Sequence, residues 1–174
     1  RVCLPIKRTR QVEIRVVEIE PEIVFPDIRE KLRNGQRLGA VGIVLAIDEF
    51  LAVGRLDALV AELLQADRIV FAVPVYNFNL PAQFKSYLDH VARAGVTFRY
   101  TPEGVAEGLV KGKQVFVLTA RGGKAEGTPA DTMTPYLRQM LGFLGMDEVT
   151  FIAAEGMAMG EVAALEGVAL ARQR

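Results

Sequence analysis

Three short apolar runs constrain the fold of this chain more than any other feature of its sequence. They cover residues 69–75, 114–120 and 149–154, and each is nearly continuous rather than alternating. Continuous runs of this length are typical of strands in a parallel sheet that is covered by helices on both faces. Helical patterns separate the runs. We therefore expect a three-layer α/β sandwich.

Apolar residues at spacings of three and four predict four helices. The first stripe begins at Leu56, and Pro81 suits the first turn of the second helix, which we expect to end at Gly95. Thr128 is expected to start the third helix, and Val162 begins the stripe of the last.

Weaker patterns precede these elements. Residues 2–6 predict a central first strand, residues 13–20 an edge strand, and residues 21–50 a long excursion. Together the elements predict a single flavodoxin-like domain over residues 1–174. Its five-stranded parallel sheet would have the order 2-1-3-4-5, with helices on both faces.

The connection between the first two predicted strands is too short for this fold. A parallel crossover needs about a dozen residues, but only six separate Ile6 from Glu13. The strands could form an antiparallel hairpin, or the first helix and its phosphate-binding loop could be deleted. The interpretation we favour is that a mobile segment has been omitted. It predicts a chain break beside Lys7 and no bound cofactor in a crystal.

Overall charge and the rare residue types exclude several classes of function. The 21 basic and 21 acidic side chains cancel, so neither nucleic acid nor a membrane surface is favoured as a partner. Cys3 is the only cysteine and His90 the only histidine, which excludes an internal disulfide and a multi-histidine metal site. No apolar stretch suits a membrane span, and no signal peptide is visible. We therefore expect a cytoplasmic protein.

Two loops follow neighbouring strands of the predicted sheet and should share one crevice. The first holds Tyr76, Asn77 and Phe78, whose aromatic faces and amide suit a flat ring with a polar edge; an ordinary turn that closes the core is the alternative. The second holds the Gly122-Gly123 pair, which would let backbone approach a ligand closely or would simply form a flexible turn. A third segment, residues 95–100, is interpreted as an aromatic turn that covers a ligand or packs in the core.

These segments resemble the FMN-dependent NADH-azoreductases of the flavodoxin-like quinone reductase family. The resemblance runs through PVYNFNLPAQFKSYLDHVARAGVTFRY, GLVKGKQVFVLTARGG, TPYLRQMLGFLG and VTFIAAEG, over roughly residues 56 to 157. It implies a homodimer that binds FMN and passes a hydride from NADH to quinones or azo compounds by a ping-pong mechanism. The flavin would carry the chemistry, so no catalytic acid, base or metal of the protein is expected.

The resemblance also implies which residues form the site. The cofactor ring would be bound by Val75, Tyr76, Asn77, Phe78, Ala120, Arg121, Gly122 and Gly123. The pocket for small aromatic acceptors would be walled by Phe78, Tyr100 and Phe143, with Tyr100 reaching over from the region of the dimer contact.

Departures from the family leave some properties open. The serine-rich phosphate loop of the family is absent from the sequence, and Lys124-Ala125 stand where some relatives have a histidine. The physiological acceptor and the choice between NADH and NADPH stay open. The alternative function is a flavodoxin-like flavin-binding or electron-carrier protein without turnover. A phosphoacceptor regulator is disfavoured because Val75 stands where it needs an aspartate.

Overall fold

A computed structural model describes residues 56–174 of the chain. Its elements, in chain order, are α1 (Leu56–Gln65), β1 (Arg68–Pro74), α2 (Ala82–Val91), β2 (Phe98–Tyr100), β3 (Ala106–Gly108), β4 (Gln114–Ala120), α3 (Met133–Leu144), β5 (Glu148–Ala154) and α4 (Glu161–Arg172). The three predicted strands are confirmed, each within one residue of its expected bounds. The interpretations that concern residues 2–6, 13–20 and 21–50, and the chain break beside Lys7, lie outside the described residues.

The three long strands form one parallel sheet in the order β1-β4-β5. Pro74 pairs with Ala120, and Ala120 pairs with Ala154, so the three strands end at the same edge. A strand order that advances in one direction places successive right-handed crossovers on the same side of the sheet. Because β1 and β4 are paired parallel strands that end at the same edge, the loops after them are neighbours, as the sequence predicts.

One face of the sheet carries the core. Ile69, Phe71 and Val73 are buried on β1, whereas the residues between them are only half-buried. Helix α2 packs on the buried face, where the ring of Phe84 lies 5.2 Å from that of Phe71. Leu137 and its apolar neighbours on α3 complete the same cluster. On both β1 and β4 the alternate positions are half-buried.

A short hairpin replaces part of the predicted aromatic turn at residues 95–100. Phe98–Tyr100 pairs antiparallel with Ala106–Gly108 to form a separate two-stranded sheet. The hairpin packs against the end of α3, since a Cβ atom on Gly108 would lie 2.1 Å from the backbone nitrogen of Gly145. Only glycine permits such a close approach of two backbones.

Two helix boundaries also differ from prediction. Helix α2 ends at Val91 rather than near Gly95, because the Thr97 hydroxyl donates to the Val91 carbonyl at 2.6 Å and ends the helical ladder. Helix α3 begins at Met133 rather than at Thr128. The Thr128 hydroxyl instead closes a turn by donating to the Ala125 carbonyl at 2.8 Å.

Candidate active site

The edge where the strands end brings together the two loops that the sequence singled out. The Val75 N–H donates to the Ala120 carbonyl at 2.9 Å, which extends the ladder between β1 and β4 by one bond. Asn77 and Gly122 lie two residues further along, in the loops that follow two strands about 5 Å apart. Both residues are exposed. The predicted juxtaposition of these loops is therefore present.

The loop after β1 is a tight turn with unusual backbone geometry. Tyr76 and Asn79 exchange two backbone hydrogen bonds, at 2.8 and 3.0 Å, across the turn. Between them, Asn77 has φ 47° and Phe78 has φ 70°, as in a type I′ turn. A phenylalanine rarely adopts this left-handed conformation, so the turn is strained.

The turn is anchored from the neighbouring helix. The hydroxyl of Thr132, the residue before α3, donates to the Phe78 carbonyl. The Phe78 side chain is 78% exposed and that of Tyr76 is 62% exposed. The anchor therefore presents two aromatic faces to solvent at the edge of the sheet, where a flat ligand could stack on them.

The loop after β4 points its backbone donors outward. The carbonyls of Arg121, Gly122 and Gly123 accept from the N–H groups of residues 156–158, at 3.0 to 3.1 Å. No peptide bond in the described residues is cis, so each N–H points opposite to the carbonyl of its own peptide plane. The N–H groups of Gly122, Gly123 and Lys124 consequently face away from that segment.

These N–H groups have no acceptor among residues 56–174. Gly123 is exposed, and a Cβ atom built on it meets no atom within 4 Å. The loop thus combines free donors with open space. That combination fits the heteroatom edge of a planar ring such as isoalloxazine.

Arg121 has a different environment from its two glycine neighbours. Its side chain is buried, and its Nη2 lies 3.2 Å from Oδ1 of Asp131, which is also buried. Burial acts to raise the pKa of Asp131, but hydrogen bonds from Thr134 and the nearby Arg121 charge outweigh it and hold that pKa below its usual value. The side chain of Arg121 therefore belongs to a buried ion pair.

Glu155, directly after β5, completes this charged cluster. Its Oε1 accepts the N–H groups of Ala125 and Glu126, at 2.8 and 2.7 Å. The same oxygen lies 3.7 Å from Nε of Arg121. The segment after β4, the approach to α3 and the segment after β5 are thereby joined by side chains of opposite charge.

The three aromatic residues predicted to wall the acceptor pocket do not meet within the chain. Phe98 contacts both Tyr100 and Phe143, with ring centroids 5.8 and 4.6 Å apart. This cluster lies at the end of α3, whereas Phe78 contacts Thr132 at its beginning. Thr132 and Phe143 are eleven positions apart on this helix, about 16 Å along its axis.

Sequence reasoning missed three residues that shape the site: Thr132, Asp131 and Glu155. Asp131 carried a local signal, because an aspartate just before a helix commonly accepts an N–H of the first turn, as it does from Thr134. Thr132 and Glu155 carried none, since their partners lie 54 and about 30 positions away. No cluster of metal-binding side chains and no helix suited to crossing a membrane occurs among residues 56–174.

A family model described as "Flavodoxin-like fold" matches residues 7–174. The chain belongs to this flavodoxin-like family. The family relationship confirms the predicted class of fold, with its parallel sheet and covering helices.

Curated relatives of this flavodoxin-like chain have a consistent name. A protein from Bordetella bronchiseptica is 83% identical over 118 residues, which are 68% of this chain and 56% of its own length. A Burkholderia thailandensis protein is 55% identical over 121 residues, or 70% of this chain and 61% of its own. Both are named FMN-dependent NADH:quinone oxidoreductase. The chain thus spans a little over half the length of the curated relatives it matches.

Solved structures of azoreductases are also similar to this chain. An azoreductase from Bacillus anthracis strain Sterne has a TM-score of 0.63 and 30% identity, over 93% of this chain and 74% of that protein. A FMN-dependent NADH-azoreductase from the Ames Ancestor strain, solved in complex with FMN, has a TM-score of 0.62 and 26% identity, over 91% and 73%. The resemblance that the sequence motifs suggested is confirmed by both comparisons.

Proposed function

We propose that the chain is part of an FMN-dependent oxidoreductase that transfers a hydride from NADH to quinones or azo compounds in ping-pong order. The observation that carries the proposal is the edge of the sheet where exposed aromatic faces stand beside outward-pointing glycine N–H groups. The relatives' names and the FMN complex of the azoreductase support the same cofactor.

Each half of the site would serve a different part of the cofactor ring. Residues Val75, Tyr76, Asn77 and Phe78 would meet one polar edge and one face of the isoalloxazine. Ala120, Arg121, Gly122 and Gly123 would hold the other edge, chiefly through backbone N–H groups because the Arg121 side chain is occupied. No described residue is assigned to the phosphate, for which a helix N-terminus after the first strand is the expected site.

The chemistry that FMN supplies when bound is hydride acceptance from NADH and delivery to the acceptor. The residues of the chain bind and orient. Backbone N–H groups at Gly122 and Gly123 would stabilise negative charge on the ring edge that they face. The Phe78 ring would give a flat acceptor an apolar surface. No proton donor from the protein is needed in this scheme.

A second copy of the chain would complete the acceptor pocket. Phe78 lies at one end of α3, and the Tyr100–Phe143 group at the other, so one chain cannot enclose a ring between them. Tyr100 and Val105, both on the hairpin, are each 62% exposed. We infer a homodimer in which the hairpin of one copy covers the Phe78 turn of its partner.

The same proposal includes the five-stranded order of the sheet. A flavodoxin-like domain over residues 1–174 would place two further strands beside β1 and give the order 2-1-3-4-5. Helices would then cover the half-buried face that alternates with Ile69 and Phe71. The cytoplasm is the expected compartment, since NADH is supplied there.

The decisive experiment is reconstitution of the purified chain with FMN. A bound-flavin absorption band in the visible blue, followed by NADH oxidation that requires both FMN and a quinone, is the expected result. A bound flavin that never oxidises NADH would replace the enzyme with an electron carrier. Failure to bind any FMN would overturn the proposal outright.

A further inference from the structure

The buried ion pair of Arg121 and Asp131 adjoins the glycine donors, because Arg121 directly precedes Gly122 in the chain. Its two side chains are 6% and 5% exposed. Burial of an ion pair carries a large desolvation cost, and apolar residues of similar volume are often as stabilising. The contribution that apolar residues could not replace is directional, because a guanidinium fixes the position of the carboxylate that it binds.

The fixed carboxylate in turn fixes the start of α3. Asp131 Oδ1 accepts from Arg121 and also from the Thr134 N–H, each at 3.2 Å. The next residue, Thr132, anchors the Phe78 turn. The ion pair therefore sits between the two loops of the site and contacts the element that orients each of them.

The Nε of Arg121 faces Glu155. The Nε of Arg121 has no hydrogen-bond partner among residues 56–174 and lies 3.7 Å from the Glu155 carboxylate. Glu155 holds the N–H groups of Ala125 and Glu126. Two carboxylates thus restrain the segment that starts at Arg121, one at Nη2 of the guanidinium and one near its Nε.

We propose that Arg121 is a positioning residue that holds the Gly122–Lys124 backbone with its N–H groups outward, ready for the cofactor edge. The inference rests on the proposed function for the identity of the ligand. It concerns the loop itself, and so it has a test that does not need FMN.

The test uses Arg121→Met, Arg121→Lys and a matched control, Arg93→Met, in the 174-residue chain. Arg93 also forms an ion pair, with Asp57, but the partner is 90% exposed. Arg93 follows the C-terminal end of α2, whereas the β1 loop precedes the N-terminal end of that helix. Amide hydrogen exchange is measured without FMN. The reporters are the N–H groups of Gly156, Met157 and Ala158, because they donate to the carbonyls of residues 121–123. We expect their exchange to accelerate about tenfold in Arg121→Met, less in Arg121→Lys, and not at all in the control.

FMN affinity is then measured by quenching of flavin fluorescence. We expect Kd to rise about tenfold in Arg121→Met, equivalent to about 1.4 kcal/mol, with partial rescue by lysine. A purely structural role predicts faster exchange throughout the domain with no excess at residues 156–158, and that result would overturn the inference. So would an unchanged Kd with a locally loosened loop.

The experiment remains informative if Arg121→Met does not fold or if the chain binds no FMN. If Arg121→Met does not fold, Arg121→Lys and Asp131→Asn supply the same comparison, because each weakens the pair while it retains side-chain volume. If the unmodified chain binds no FMN, the proposed function fails. The exchange measurement still tells whether Arg121 orders the loop.

Discussion

The hydroxyl of Thr132 donates a hydrogen bond to the carbonyl of Phe78 and joins two loops that are far apart in sequence. Phe78 is in the left-handed region with φ 70°. A strained residue keeps such a conformation only where its surroundings hold it. The bond from Thr132 is one such restraint, and it fixes the direction in which the Phe78 ring leaves the turn.

Replacement of Thr132 by valine should loosen the Phe78 turn without a change in side-chain shape. One hydrogen bond contributes about 1 kcal/mol net, so the Kd for FMN should rise about fivefold. The measurement is a fluorescence titration of the apoprotein with FMN. Thr150→Val, on an exposed position of β5, is the control and should leave Kd unchanged. Equal effects of the two substitutions would contradict the anchor.

Backbone strain at Phe78 predicts an inversion of the usual order of alanine and glycine. At a left-handed position, glycine avoids the Cβ clash that alanine retains, so Phe78→Gly should be more stable than Phe78→Ala by about 0.5–1 kcal/mol. Val96 is also exposed but has no positive φ. There, Val96→Gly should be the less stable variant of the pair. Urea denaturation measures all four, and the same order at both positions would refute the strain.

Alanine substitutions at Gly108 and Gly123 should have very different effects on stability. A Cβ on Gly108 would lie within 2.4 Å of backbone atoms of Leu144 and Gly145, whereas one on Gly123 meets nothing within 4 Å. Gly108→Ala should therefore cost several kcal/mol of the free energy of unfolding, about as much as other severe backbone clashes. Gly123→Ala should stay within about 0.5 kcal/mol of the unmodified chain. Thermal denaturation distinguishes them.

Stability at acid pH should depend on Asp131. Its pKa in the folded chain is held below the usual value, so its carboxylate stabilises the fold at pH values above the unfolded-state pKa of about 3.9. That contribution is lost as the pH falls through the lower, folded-state pKa. The difference in unfolding free energy between the unmodified chain and Asp131→Asn should therefore be constant near neutrality and shrink below about pH 4. Urea denaturation across that pH range tests this, and a constant difference would exclude the ion pair.

The parallel sheet could be predicted because its signal is local. Each strand is a run of consecutive apolar residues, and Phe71 and Val117 need no knowledge of the rest of the chain to be recognised as core. The β2–β3 hairpin could not be predicted. Its strands have three residues each, too few to show alternation, and its position depends on the contact of Gly108 with Gly145.

The candidate site likewise has residues that the sequence predicted and supporting residues that it did not. Tyr76, Asn77 and the Gly122-Gly123 pair were recognisable because they follow strands and carry distinctive residue types. Their supports were not, since Thr132 and Glu155 act through partners distant in sequence. The sequence also grouped Arg121 with its glycine neighbours, whereas packing places its side chain in an ion pair with Asp131.

The proposed pocket between two copies can be tested by mixing two defective variants. Phe78→Ala removes the ring from the turn, and Tyr100→Ala removes the ring from the hairpin. Both side chains are largely exposed, so each variant should keep its stability and lose most of the proposed quinone reductase activity. If each pocket takes Phe78 from one copy and Tyr100 from the other, a mixed dimer contains one intact pocket.

Random exchange of subunits makes half of the dimers mixed, so mixing should restore about a quarter of the activity of the unmodified chain. The measurement is NADH oxidation with a quinone after the variants are unfolded and refolded together. A control mixture of Phe78→Ala with itself should regain nothing. If both rings instead come from the same chain, or if the protein is a monomer, no mixture of the two variants can contain a complete pocket, and the activity of the mixture will equal the mean of its parts.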